Sequence, residues 1–182
     1  PHGFNRPLEP LNAANSGTAL RFLAGFAARM EGPVVLDGDQ SLRSRNSDEL
    51  WDSLRQAGVT VSIQDGVGHL PAIVSGPWKK DNLGSGIHLD ISKSSQPLSS
   101  WILSSASLPS EMELSLNGQG VSNRHASLTI EMANQAGANI EINQKKCVLG
   151  PWKPVCESGY IVPGDASMAS FAALAAYCLE SK

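Results

Sequence analysis

The stretch Gln40–Ile63, QSLRSRNSDELWDSLRQAGVTVSI, has a near twin in Gln119–Ile142, QGVSNRHASLTIEMANQAGANIEI. Laid one on the other without gaps, they pair Gln40 with Gln119 and Arg45 with Arg124. Gln56-Ala57-Gly58 falls on Gln135-Ala136-Gly137, and Ile63 on Ile142. Each copy reads as a loop, an amphipathic helix and a strand. The glycine after each helix suits a left-handed C-cap. The alternation that follows, Val59 to Ile63 and Ala138 to Ile142, has the period of a strand.

Working outward, the same overlay lays SGTALRFLAG on SQPLSSWILS. Each unit therefore opens with a small, polar helix start and an apolar helix. A strand follows, GPVVLDG in the first unit and EMELSLNG in the second. Further strands are expected at PAIVSG, GIHLDIS, KCVLG and GYIVPG, with Gly, Pro and Asn marking turns between them. The fold class is α/β, each unit holding one apolar helix inside and one amphipathic helix outside. GDASMASFAALAA, from Gly164, reads as the opening of a further unit. It is apolar on all sides, so it calls for burial, in this core or against a missing partner. No G-x-G-x-x-G follows a strand and no Walker A loop is present.

The bulk numbers exclude several classes. The chain has 182 residues, 41% of them hydrophobic and 17% charged, as in a soluble globular protein. A net charge of −3 gives no electrostatic footprint for nucleic acid. No apolar run is long enough to span a bilayer, and the N-terminal sequence lacks a signal-peptide pattern. Cys147, Cys156 and Cys178 are odd in number and without zinc spacing, which fits packing thiols in a reducing cytoplasm. Neither His2, His69, His88 and His125 nor any carboxylate pair shows metal or nucleophile spacing.

The remaining polar signals converge on anions. Helix N-termini carry free N–H groups and partial positive charge. Ser94, Ser95 and Gln96 add two hydroxyls and an amide at one such start; a plain N-cap needs only one. Asn15, Ser16 and Thr18 stand at the other, with Gly17 permitting close backbone approach. The loop DGDQSLRSRNSDEL carries Arg43 and Arg45, whose forks match carboxylate or phosphate. Asp37 and Asp39 flank Gly38 there, most simply as a turn. The equivalent loop of the second unit carries Ser122 and Arg124, so both loops are expected at one end of the domain.

NSGTALRFLAG, VVLDGDQSLRSR, SSQ, GVSNRHASLTIEMANQAGANIEI and VPGDASMASF occur in an order and spacing similar to the 5-enolpyruvylshikimate-3-phosphate synthase family (3-phosphoshikimate 1-carboxyvinyltransferases). Members are more than twice this length. The resemblance implies an enolpyruvyl transferase-like fold of repeated βαβαββ units with buried apolar helices, an inside-out α/β barrel. It implies a shikimate-3-phosphate-binding domain over residues 1–163, in two units (1–79 and 80–163). Residues 164–182 would then open a third unit or a second domain absent from this chain. The implied reaction moves the enolpyruvyl group of phosphoenolpyruvate to the 5-hydroxyl of shikimate 3-phosphate and releases phosphate, a step of the shikimate pathway to aromatic amino acids.

By position, Ser94 and Ser95 resemble the family's serines on the 3-phosphate, and Gln96 the glutamine on the shikimate ring. Ser122 resembles the next phosphate-contacting serine. Arg45 resembles the arginine that grips phosphoenolpyruvate. Asn15, Gly17 and Thr18 resemble the loop beside that ligand, where glyphosate also binds, and Arg21 a structural arginine behind it. The sequence departs from the pattern in three places. Asn46 follows Arg45 where proline is usual. His125 stands in place of a substrate-contacting tyrosine, with one hydrogen bond to give and a shorter reach. Pro97 follows Gln96 where a large residue is common. The resemblance puts the proton-transfer groups in the missing domain, so no catalytic residue is assigned here. It implies a cytoplasmic protein whose partners are the two substrates and that second domain, with no metal or organic cofactor. Two alternatives stay open: a relative of the sister transferase acting on UDP-N-acetylglucosamine, and a stand-alone, non-catalytic domain binding a phosphate ligand.

Overall fold

The computed structural model describes residues 5–63, 69–118, 123–155, 161, 164 and 166–179. The first unit runs β1 (Leu11–Asn12), α1 (Gly17–Ala27), β2 (Gly32–Asp37), α2 (Gln40–Arg43), α3 (Asp48–Gln56), β3 (Thr60–Ile63) and β4 (Ala72–Gly76). Its four strands lie in the order β1-β2-β4-β3, with β1 parallel to β2 and both β2 and β3 antiparallel to β4. The second unit opens with a short helix, α4 (Lys80–Gly84). It continues through β5 (Ile87–Asp90), α5 (Gln96–Ser104), β6 (Met112–Asn117), α6 (Asn123–Gln135), β7 (Glu141–Ile142) and β8 (Lys146–Leu149). Its sheet, β5-β6-β8-β7, repeats the first with the same directions. The βαβαββ order is thus present twice.

Alternation explains the register. Val34 of β2 lies opposite Val74 of β4, which faces Val61 of β3, and all three are buried. Leu114 of β6 pairs with Ile87 on one side and Cys147 on the other, again all buried. A one-residue slip would turn each set outward. Burial also pushes the Cys147 thiol up to about 12, so it packs as a small apolar group.

The apolar helices α1 and α5 pack on each other. They approach closely at Gly25, where a Cβ would stand 2.5 Å from Ser100 Oγ and 2.9 Å from Ser100 O. On α5, Leu98, Trp101 and Ile102 are fully enclosed. Trp101 stacks on Trp78 at 5.5 Å and donates to Ser53 Oγ of α3 at 2.9 Å. The amphipathic α3 buries Leu50, Trp51 and Leu54 and turns Asp52 outward. Gly58 and Gly137 end α3 and α6 at φ of +81° and +99°, the left-handed caps expected from the repeat.

Two expectations need correction. The loop DGDQSLRSRNSDEL contains α2, a four-residue helix capped by Asp39, whose side chain accepts from Leu42 N. The expected strand Ala138–Ile142 pairs only over Glu141–Ile142. Asn134 is the reason: its side chain takes the Ile140 N–H at 2.9 Å and donates to Ile140 O at 3.4 Å, occupying groups a strand partner would use. α4 was not read from the sequence at all. Most of the expected strand GYIVPG lies outside the described residues, as do His2 and Cys156.

α7 (Ala166–Cys178) follows the second unit. Met168, Phe171, Leu174 and Tyr177 are all exposed along it. Among the described residues no helix is long and apolar enough to cross a membrane, and no cluster of His, Cys, Asp and Glu could hold a metal.

Candidate functional site

The site forms where α1 and α5 begin. Ser16 caps α1 by accepting from Ala19 N at 3.1 Å. The turn before it is tight: Asn12 Oδ1 accepts from Ala14 N, and Ala14 adopts a positive φ of 49°. That turn exposes Asn15 and Thr18 and brings Gly17 under two guanidinium groups. A Cβ on Gly17 would lie 2.7 Å from Arg21 Nη1 and 3.8 Å from Arg45 Nη1. Glycine here gives the Arg21 guanidinium room to approach; its φ is ordinary.

At the start of α5, Ser94 Oγ accepts from Gln96 N at 3.2 Å. Ser95 is buried and makes no side-chain cap bond to the helix. The hydroxyl that caps is thus Ser94, and the two serines have different tasks. Gln96 reaches across to α1. Its Oε1 accepts from Arg21 Nη1 at 3.0 Å and its Nε2 donates to Thr18 Oγ1 at 2.9 Å. The two helix starts are therefore tied together by side chains.

Arg21 is the hub of this arrangement. It donates to Gly17 O at 3.1 Å, to Gln96 Oε1, and to Asn46 O at 3.0 Å. Ser100 Oγ donates to its backbone oxygen at 2.6 Å. Burial holds Arg21 below the ordinary arginine value; Glu49 opposes this, and the like charge of Arg45 adds to it. Its Nε is buried without a partner. Nearby, Lys93 Nζ sits 2.8 Å from Glu49 Oε1. The cations here, Arg21, Arg45 and Lys93, are interleaved with carboxylates: Glu49, Asp48 and Asp90 around Lys93, and Asp39 behind Asn15.

The two arginines of the Asp39 loop separate. Arg43 is turned onto Asp37, Nε at 2.9 Å and Nη2 at 2.5 Å, and so is occupied. Arg45 stays exposed, its Nη2 donating to Asn15 Oδ1 at 2.5 Å. Asn46 stabilises the turn into α3: its Oδ1 accepts from Asp48 N at 2.7 Å. That is how the chain shapes this corner without a proline.

Asn15, Gly17, Thr18, Arg45, Ser94, Ser95 and Gln96 thus lie at two coupled helix starts. His125 stands apart. It is exposed in the first turn of α6, and no hydrogen bond among the described residues joins its ring to the network. Its backbone oxygen accepts from Thr129 Oγ1, which bonds in turn to Ser99 Oγ of α5 at 2.8 Å. Ser122 lies outside the described residues. Sequence reasoning missed Asp39, Glu49 and Ser100. Asp39 carried a signal, since an aspartate three residues before a leucine N–H is an N-cap pattern; Glu49 and Ser100 carried none. A cavity of about 580 Å³ is lined by Arg6, Phe26, Arg29 and Trp78 at the far end of α1.

Three comparisons agree. The family model for EPSP synthase (3-phosphoshikimate 1-carboxyvinyltransferase) matches residues 2–182. The 3-phosphoshikimate 1-carboxyvinyltransferase of Methanocella arvoryzae is 34% identical over 176 residues, 97% of this chain and 41% of that protein. The Methanosarcina mazei protein of the same name is 34% identical over 177 residues, 96% of this chain and 40% of that one. The solved EPSP synthase of Acinetobacter baumannii superposes with a TM-score of 0.73 at 25% identity, over 93% of this chain and 36% of its own. This chain spans about two fifths of the length of these curated relatives. Doubled βαβαββ units, coupled helix starts and a match along almost the whole sequence place the chain in the EPSP synthase family.

Proposed function

We propose that this chain forms the shikimate-3-phosphate-binding part, and part of the phosphoenolpyruvate-binding part, of a cytoplasmic enolpyruvyl transferase. The observation that carries the reading is the Gln96 carboxamide bridging Thr18 and Arg21, which locks two helix N-termini side by side. Ser94 and Ser95, with Ser122 of the next loop, are the groups offered to the 3-phosphate, and Gln96 to the ring. Asn15, Gly17, Thr18 and Arg45 are offered to phosphoenolpyruvate, and His125 to the rim of the shikimate site. In the reaction the 5-hydroxyl oxygen bonds to C2 of the enolpyruvyl group, the C2–O bond to phosphate breaks, and the hydroxyl proton is taken up by a base. A polyanion held by fixed donors suits that chemistry.

The domain assignment follows the same reading. Residues 1–163 supply two units (1–79 and 80–163), and 164–182 open a third unit or a second domain. The exposed apolar surface of α7 supports a partner there. That partner would bring the proton-transfer groups, so the chain alone binds without turning over. The names of the relatives favour shikimate 3-phosphate over a nucleotide-sugar acceptor or a purely structural role.

The test is an NMR titration of the 182-residue chain with shikimate 3-phosphate. Saturable shifts at the Ser94, Ser95 and Gln96 amides, absent with unphosphorylated shikimate, are expected. A folded chain whose amides do not move at millimolar ligand overturns the reading.

A further inference from the structure

We infer that Asp39 is a positioning residue for Arg45, acting through the carboxamide of Asn15; its functional meaning rests on the reading of Arg45 as a phosphoenolpyruvate ligand. Asp39 Oδ2 accepts from Asn15 Nδ2 at 2.9 Å, and Asn15 Oδ1 accepts from Arg45 Nη2 at 2.5 Å. A carboxylate can only accept and a guanidinium can only donate. A carboxamide between them therefore has one orientation that satisfies both. The carboxylate fixes that orientation, and the amide oxygen then gives the guanidinium its shortest contact, beside longer ones to Asn15 O at 3.4 Å and Ser41 Oγ at 3.5 Å.

Asp39 is itself held through both its side chain and its backbone. Its Oδ1 accepts from Leu42 N at 2.8 Å, its backbone N–H donates to Ala14 O at 2.8 Å, and its Oδ2 meets Asn15. The backbone of Arg45 refers to the same short helix, its N–H donating to Leu42 O at 3.0 Å. Both ends of Arg45 are thus measured from Asp39.

The amide spacer has a chemical purpose. Asp37 pairs directly with Arg43 and neutralises it. Asp39 never touches Arg45, so it passes on direction and leaves the positive charge open to an incoming anion. An arginine already aimed loses less freedom when the anion arrives.

The test uses the 182-residue chain and three variants. Asp39→Asn keeps a cap oxygen for Leu42 N, but it can donate as well as accept, so the polarity of the relay is lost. Asp39→Ser keeps a cap oxygen and offers nothing to Asn15. Asp39→Ala removes both. Without ligand, the Asn15 Nδ2 and Arg45 Nε resonances are expected to shift in Asp39→Asn and Asp39→Ser, with Tm within about 3 °C of the parent. Phosphoenolpyruvate, titrated by calorimetry, is expected to bind both about tenfold more weakly. Asp39→Ala should lose affinity and Tm together. Unchanged Asn15 and Arg45 resonances in Asp39→Asn overturn the relay, as does a loss of affinity confined to Asp39→Ala. If the parent chain binds no phosphoenolpyruvate, the ligand reading of Arg45 fails, while the ligand-free resonances still decide the relay.

Discussion

The carboxamide nitrogen of Gln96 donates to the hydroxyl of Thr18 at 2.9 Å, joining the first turns of two helices from different units. The other end of the same amide holds Arg21. Truncation to Gln96→Ala leaves Nη1 of a half-buried guanidinium with only Gly17 O. We expect a stability loss of about 1–3 kcal/mol by urea denaturation, with weaker binding of shikimate 3-phosphate. A variant as stable as the parent would show that water replaces the amide at no cost.

Gly25 is a contact point of α1 and α5. An alanine there meets the Ser100 backbone oxygen at 2.9 Å as well as two serine hydroxyls, and backbone cannot rotate away. Gly25→Ala should cost about 1–3 kcal/mol by overpacking, and Ser100→Ala should not rescue it, since the backbone oxygen remains. Full rescue in the double variant would place the clash on the hydroxyl alone.

Ala14 pays for the turn ahead of Asn15 with its positive φ of 49°. The left-handed region costs a residue with a Cβ more than glycine loses in chain entropy. Ala14→Gly is expected to raise stability by roughly 0.5 kcal/mol, read as a higher urea midpoint. A lower midpoint would mean the turn carries no such strain.

Asp37 sits below the usual aspartate value of 3.8, chiefly through its hydrogen bond from Arg43, helped by the Gly38 N–H and opposed by burial. A depressed folded-state value stabilises above the unfolded value and is lost as pH falls through the folded one. The stability difference between the parent and Asp37→Asn should therefore be full at neutral pH and shrink below about pH 4. The pair is partly exposed, so the difference is small and weakens with added salt. A difference that persists unchanged to pH 2 would assign the effect to something other than this charge.

The fold was legible because the repeat was. Gln56-Ala57-Gly58 and Gln135-Ala136-Gly137 mark the same left-handed cap twice, and the apolar periods before and after it name helix and strand. α2 was hidden because four residues are too few to show a helical period. β7 was overread because alternation in ANIEI cannot reveal that Asn134 intercepts Ile140. At the site, residue types marked the helix starts, but not who holds whom. Asp39 looked like a turn residue, and its link to Arg45 passes through an asparagine 24 positions away. Ser100, inside an apolar run, gave no sign that it braces the backbone of Arg21.

Three of the ties that cross between the units join residues 75, 78 and 79 positions apart: Arg21 to Gln96, Thr18 to Gln96, and Ser100 to Arg21. These three sit at nearly the same step of the repeat, so the two equivalent helix starts hold each other. Neither copy is free to drift alone. A change at Thr18, Arg21, Gln96 or Ser100 alters the surroundings of a residue in the sister unit, and tolerated variation in this family should therefore arrive as matched pairs across that interval.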